Sequence, residues 1–232
     1  MKAPCEFARA GTPSIIETVR ASDRSLMLYL AADVSISQVI KQLERQALPG
    51  ITTMSPGCSS VLLRFDPLVI DHATLESRLA IQNSDADDTE IHTLKVPVCY
   101  APQFAPDLEE VAATNHLTPA QVVELHSGVT YRVGFLGFLP GFAYMSELPE
   151  SIATQRKPTP RRKVASGTVA IAGRQTGIYP NATPGGWNLI GCCPLRIFDP
   201  AREPASLFAL GDEVRFHPIS VEEFSQTQRQ LE

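Results

Sequence analysis

The chain has 232 residues, 44% of them hydrophobic and 19% charged, and a formal net charge of -5. That composition provides for a sizeable core and excludes global disorder, while the acidic balance argues against a nucleic-acid binder. The five cysteines are odd in number and lack a C-x-x-C spacing, which argues against a disulfide framework and a zinc site.

The first ninety residues read as a small α/β unit. Leu26–Leu30 is an apolar strand. Ser35, with Gln38 three residues on, predicts a capping box for a helix whose apolar face is Ile36, Val39, Ile40, Leu43 and Ala47. Pro49-Gly50 stops it. Val61–Phe65 is a second strand, and Asp71 caps a short helix carrying Leu75 and Leu79. The pattern reads as a βαβα layer. The polar stretch Asn83–Thr89 predicts a linker, placing a small N-terminal domain over 1–90.

Leu94, Val96, Val98 and Tyr100 then alternate as a half-buried strand. Asp107 with Glu110 starts a short helix. Thr118-Pro119-Ala120-Gln121 starts another, with proline at its first position, and Gly128 ends it. From Tyr131 the chain reads as short β segments between turn residues: Tyr131–Phe135, Gly167–Ala172, Leu195–Phe198 and Glu213–Pro218. That punctuation predicts a barrel or sandwich over 91–220. Ser220 with Glu223 caps a polar C-terminal helical tail, 221–232. Met1–Gly11 lacks the apolar run of a signal peptide. Val133–Met145 is too short, and too broken by Gly and Pro, to span a bilayer. The expectation is a cytoplasmic protein with reduced thiols, no membrane contact and no bound metal.

Three glycine-proline-aromatic clusters lie between Tyr131 and Pro194. Leu139-Pro140-Gly141-Phe142 and Thr183-Pro184-Gly185-Gly186 both fit type II turns. Turns account for Pro140, Gly141, Pro184, Gly185 and Gly186. They do not account for Phe138, Phe142, Tyr144, Tyr179 and Trp187, the sole tryptophan. A ligand pocket and an aromatic core both explain those rings. Arg156, Lys157, Arg161, Arg162 and Lys163 form a basic run that is either a solvated loop or the source of one arginine for an anion. Arg161 is the choice for that role. His126, near a helix end, is either structural or a general acid–base. Asp107 reads as an N-cap. There is no phosphate loop and no legible catalytic triad, so ATP chemistry falls to another polypeptide.

The strings Gly137–Tyr144, Pro160-Arg161, Val169–Pro180 and Pro184–Gly191 resemble the signature of the allophanate hydrolase subunit 1 family. That family includes the B subunit of the bacterial 5-oxoprolinase and the Kip-type sporulation-kinase inhibitors. The resemblance covers nearly the whole chain, with Phe65-Asp66-Pro67, Pro106-Asp107-Leu108 and His126 among its positions. It implies an α+β fold: a small N-terminal domain, then a cyclophilin-like β-barrel. It implies a C-type partner and an ATP-using A-type partner, which together with this chain open 5-oxoproline to glutamate, with no cofactor on this chain. The implied alternatives are inhibition of a sporulation-type histidine kinase, or a role in an allophanate hydrolase or urea carboxylase-like amidohydrolase. In the 5-oxoprolinase reading Phe138, Pro140, Gly141, Phe142, Tyr144, Pro184, Gly185, Gly186 and Trp187 shape the substrate site. Gln175 and Tyr179 supply hydrogen bonds there, and His126 and Arg161 are catalytic. The chain departs from the family pattern at Cys192-Cys193, where an arginine and a threonine are usual.

Overall fold

The structure, a computed structural model, describes residues 15–31, 34–57, 59–79 and 93–231. The chain divides into two compact units, Met1–Glu90 and Ile91–Glu232. The expected linker Asn83–Thr89 lies outside the described residues.

The first unit runs β1 (Ile15–Ser22), β2 (Ser25–Leu30), α1 (Ile36–Gln46), β3 (Ile51–Pro56), β4 (Ser60–Phe65) and α2 (His72–Arg78). Its strands form one sheet in the order β1-β2-β4-β3, and every pairing is antiparallel. The expected βαβα layer is therefore a ββαββα unit, with β1 and β3 at the two edges. Leu26, Leu28, Val61 and Leu63 on the central strands are wholly buried, and Val39, Leu43 and Leu75 come from the helices. The Asp71 carboxylate accepts from the Thr74 N–H at 2.7 Å and caps α2. The box expected at α1 does not form: Ser35 makes no side-chain cap bond, and its hydroxyl pairs with Ser37 Oγ at 2.9 Å.

The second unit runs β5 (Thr93–Val98), α3 (Leu108–Thr114), α4 (Pro119–Ser127), β6 (Tyr131–Leu136), β7 (Ala143–Ser146), β8 (Arg161–Val164) and β9 (Thr168–Ala172). It continues with β10 (Gln175–Ile178), β11 (Thr183–Gly185), β12 (Asn188–Cys192), β13 (Glu213–Pro218) and α5 (Val221–Leu231). Seven strands form one sheet in the order β12-β9-β10-β7-β6-β13-β5, in which only β13 and β5 are parallel. The sheet curls until its ends meet. Cys99, just after β5, and Cys192 on β12 exchange two backbone hydrogen bonds of 2.8 and 2.9 Å and nearly close a barrel. Gly191 makes that seam feasible, because a Cβ there would stand 2.7 Å from Val98. β8 and β11 pair separately as a two-stranded ribbon. Leu195–Phe198, expected as a strand, contributes only one bridge, Phe198 to Ser206.

The Thr118–Gln121 capping box forms at α4, and Ser220 with Glu223 caps α5. Alternation along the strands divides their residues between two cores. Val169 and Ile171 of β9, Ile178 of β10, Ala143 and Met145 of β7, and Ile190 of β12 face the core shared with α3 and α4. Ala170, Ala172, Tyr144 and Leu189 face the opposite way, into a second cluster.

Candidate functional site on the second barrel face

This second face is built from small residues beneath large ones. Ala170, Ala172 and Gly177 leave room on the strands, and Phe142, Tyr144, Tyr179 and Trp187 fill it. The rings meet edge-on: Phe142–Trp187 centroids lie 5.6 Å apart, Phe142–Tyr179 5.5 Å and Tyr144–Trp187 5.7 Å. Each such pair contributes beyond the area that it buries. A register shift in β6 after Val133 brings Phe135 opposite Tyr144, where the two rings stack at 4.1 Å. Phe142, Tyr179 and Trp187 are buried, and Tyr144 stays half-buried.

Two backbone segments cover the rings. Leu139–Phe142 is the expected type II turn, with Gly141 at φ +82° and the Phe142 N–H donating to the Leu139 carbonyl at 3.0 Å. Phe138, at φ +69°, projects from the preceding tight turn and is 60% exposed. The other segment corrects the sequence reading. Thr183–Gly185 is extended, not turned, and pairs with β8 as Thr183 to Val164 and Gly185 to Arg161. Pro184, without an N–H, occupies the register shift between those pairs. Gly185 lies against the Tyr179 phenol, where a Cβ would stand 2.4 Å from Oη. Gly186 offers its carbonyl to the Lys157 N–H at 2.8 Å.

A buried charge organises the edge of this face. Asp107 is 2% exposed and makes no side-chain cap bond to α3, contrary to its reading as an N-cap. Its carboxylate accepts instead from Arg161 at 2.7 Å, from the Leu189 N–H at 2.7 Å and from Lys157 at 3.3 Å. Lys157 also pairs with Glu110. Burial alone would raise the Asp107 pKa; the hydrogen bonds from Arg161 and Leu189, with Lys157 beside them, outweigh it and hold the carboxyl below its usual range. Arg161 is thus the neutralised partner of an aspartate, and it belongs to a strand rather than to a solvated loop.

His126 lies elsewhere. It is fully buried in the core shared with α4, and its ring stacks on Phe216 at 4.6 Å. Its Nε2 lies 2.9 Å from Thr176 Oγ1 and its Nδ1 lies 2.7 Å from Tyr100 Oη. Thr176 gives its single proton to the Ala170 carbonyl at 3.1 Å, so it accepts from His126. The imidazole therefore carries its proton on Nε2, and Tyr100 donates to Nδ1. Burial lowers the His126 pKa to about 3 and keeps the ring neutral. This network joins β10, α4 and the chain after β5.

The expected site residues therefore divide. Phe142, Tyr144, Tyr179 and Trp187 come together. Pro140, Gly141, Gly185 and Gly186 shape the backbone over them, Pro184 is exposed on the ribbon, and Gln175 is half-buried on β10. His126 and Arg161 are not brought together: His126 lies in the first core, and Arg161 lies with Asp107 on β8. Cys192 lies at the far end of β12 from Trp187, roughly 16 Å along the strand. Sequence reading missed Asp107 as an ion-pair centre because its partners lie 54 and 82 residues away. It also missed Asn188, 2% exposed, whose amide donates to the Gln155 carbonyl at 2.8 Å.

A curled sheet of seven strands with a small αβ unit before it and an aromatic face under a ribbon defines a carboxyltransferase-type fold. The family model for the carboxyltransferase domain, subdomain C and D, matches residues 16–208, and the chain belongs to this family. Its relatives include the 5-oxoprolinase B subunit of Escherichia coli O157:H7, 44% identical over 173 residues, covering 74% of this chain and 79% of the relative. The 5-oxoprolinase B subunit of Bacillus subtilis (strain 168) is 38% identical over 198 residues, covering 78% of this chain and 81% of the relative. Among solved structures, TTHA0988 superposes with a TM-score of 0.73 at 33% identity. The match covers 86% of this chain but only 40% of TTHA0988. The Kluyveromyces lactis urea carboxylase shares the fold at a TM-score of 0.70 and 21% identity, over 93% of this chain and 24% of that one.

Proposed function

We propose that this chain is the B-type component of a 5-oxoprolinase, opening 5-oxoproline to glutamate at the expense of ATP together with partner subunits. The observation that carries the reading is the 44% identity to the E. coli O157:H7 relative over 173 residues, 74% of this chain. The chemistry of the face agrees. A small five-membered lactam suits the margin of a cluster of edge-packed rings at which the Tyr144 phenol is half-buried. The lactam is unstrained and resists water, so its amide oxygen needs activation, a role for a phosphoryl donor on another polypeptide. Among the described residues the hydroxyl–imidazole contacts, Thr176 and Tyr100 with His126, are sealed in the other core, away from this face. This chain then binds and orients the lactam, and its partners supply the ATP site and complete the reaction.

His126 and Arg161 act in this reading as supports. His126 fixes Thr176 on the strand behind the aromatic face, and Arg161 fixes the ribbon to Asp107. The test is co-expression with A-type and C-type 5-oxoprolinase partners and assay of the purified complex. ATP-dependent glutamate release from 5-oxoproline is expected. An assembled complex that binds ATP but releases no glutamate overturns the reading.

A further inference from the structure

Two arginines approach the aromatic face, and their situations differ. Arg161 is committed to Asp107 at 2.7 Å and is about a third exposed. Arg156 makes no ion pair among the described residues, and its guanidinium stands 5.8 Å from the centroid of the Trp187 ring. That distance lies within the reach of a cation–π contact.

The backbone on both sides of Arg156 is pinned. The Gln155 carbonyl accepts from the buried Asn188 amide at 2.8 Å, and the Lys157 N–H donates to the Gly186 carbonyl at 2.8 Å. Asn188 and Gly186 flank Trp187 directly. The chain therefore holds Arg156 over the indole by two neighbouring anchors, while among the described residues no hydrogen bond engages its exposed guanidinium. Burial raises the pKa of both Tyr144 and Tyr179; the Trp187 backbone and then the Arg156 charge oppose that rise at Tyr179, and the Arg156 charge opposes it at Tyr144.

An uncommitted planar fork of donors held over the Trp187 indole, at the margin of an aromatic cluster, has the chemistry of a carboxylate receptor. We infer that Arg156, held over Trp187 by the Asn188 and Gly186 anchors, binds the carboxylate of the substrate while the ring of that substrate lies on the aromatic cluster. The inference rests on the 5-oxoprolinase reading for the identity of the substrate but not for its charge. It makes Arg156 a specificity-determining residue that selects lactams bearing a carboxylate over neutral ones.

Trp187 is the sole tryptophan and reports on the site directly. The full chain is titrated with 5-oxoproline and with 2-pyrrolidinone, the same lactam without its carboxylate. Binding is followed by Trp187 emission and by calorimetry. Unaltered protein is expected to bind 5-oxoproline at least tenfold more tightly than 2-pyrrolidinone. Arg156→Gln is expected to weaken 5-oxoproline binding roughly tenfold, the lower end for a charged hydrogen bond because Arg156 is exposed. Arg156→Lys recovers part of the loss, and Arg162→Gln on the exposed edge of β8 changes nothing. In the assembled complex Arg156→Gln raises KM and leaves kcat nearly unaltered.

Equal binding of the two lactams overturns the inference. So does 5-oxoproline binding that Arg156→Gln leaves intact, or the absence of any carboxylate response together with an unchanged KM in the complex. The two proposals fail separately. Arg156-dependent binding of glutarate, with no turnover of 5-oxoproline by the complex, keeps the carboxylate receptor and sinks the 5-oxoprolinase reading. Normal turnover with an unchanged KM in Arg156→Gln does the reverse.

Discussion

Replacing Asp107 with asparagine tests the charge that ties α3, β8 and β12 together. Asparagine keeps the size of the side chain and one acceptor oxygen. It cannot serve both the Leu189 N–H and the Arg161 guanidinium, each 2.7 Å from the carboxylate, and it offers Lys157 no charge. Removing one partner of a fully buried ion pair costs about 3–5 kcal/mol. Here the cations regain water, since the Arg161 side chain is 34% exposed, and Lys157 keeps Glu110. The expected loss is about 1.5–3 kcal/mol, the worth of one charged hydrogen bond. Urea unfolding followed by Trp187 emission measures it in the second unit. The pH dependence gives a second reading. The folded Asp107 pKa is held below its unfolded value, so its stabilisation is complete above the unfolded value and is lost as pH falls through the folded one. The gap between wild type and Asp107→Asn should therefore narrow below about pH 4. A midpoint within about 0.5 kcal/mol of wild type at pH 7, the scatter of neutral surface changes, would refute the reasoning.

Three other outcomes follow from the same geometry. Gly185→Ala puts a methyl 2.4 Å from the Tyr179 Oη and should cost about 1–3 kcal/mol, seen as a lower thermal midpoint. Adding Tyr179→Phe should return part of that loss, and no recovery would remove the clash as the cause. His126 titrates at about 3 in the folded chain, whereas an unfolded histidine titrates near 6.5, so acid favours unfolding across that interval by at most about 1.4 kcal/mol per pH unit. His126→Gln should flatten the stability profile between about pH 6.5 and 4, and an unaltered slope would contradict the burial argument. Burial pushes the Cys192 and Cys193 thiols up to about 11 and about 12, so iodoacetamide at pH 8 should spare both in the native protein and modify both in urea. Peptide mass mapping that finds native alkylation at either would show the barrel seam open.

What the sequence revealed and what it hid divide along physical lines. Elements with strong local signals were legible: the Thr118–Gln121 box, the Leu139–Phe142 turn, and the apolar alternation of β5, β6 and β13. Edge strands were not, because β1 is almost wholly exposed and reads Ile-Ile-Glu-Thr-Val-Arg-Ala-Ser with no buried alternation. β8, Arg-Arg-Lys-Val, looks like a solvated run, and only its pairing with β11 makes it a strand. Thr183–Gly186 carries turn chemistry but is held straight by that same pairing. The aromatic membership of the site was readable from composition around the turns. Its polar members were not, because Asp107 and Asn188 acquire their partners from distant chain segments that no local window contains.

β9 has no residue facing solvent: Thr168, Val169, Ala170, Ile171 and Ala172 are all buried, alternately in one core and the other. One strand thickness thus separates the His126 network from the aromatic face, and Ala170 belongs to both, its methyl to the rings and its carbonyl to Thr176. Such a wall cannot be adjusted on one side without disturbing the other. Substitution on this scaffold is then least constrained in what overlies the wall, the 155–163 segment and the Gly137–Phe142 loop, and most constrained in the strands beneath.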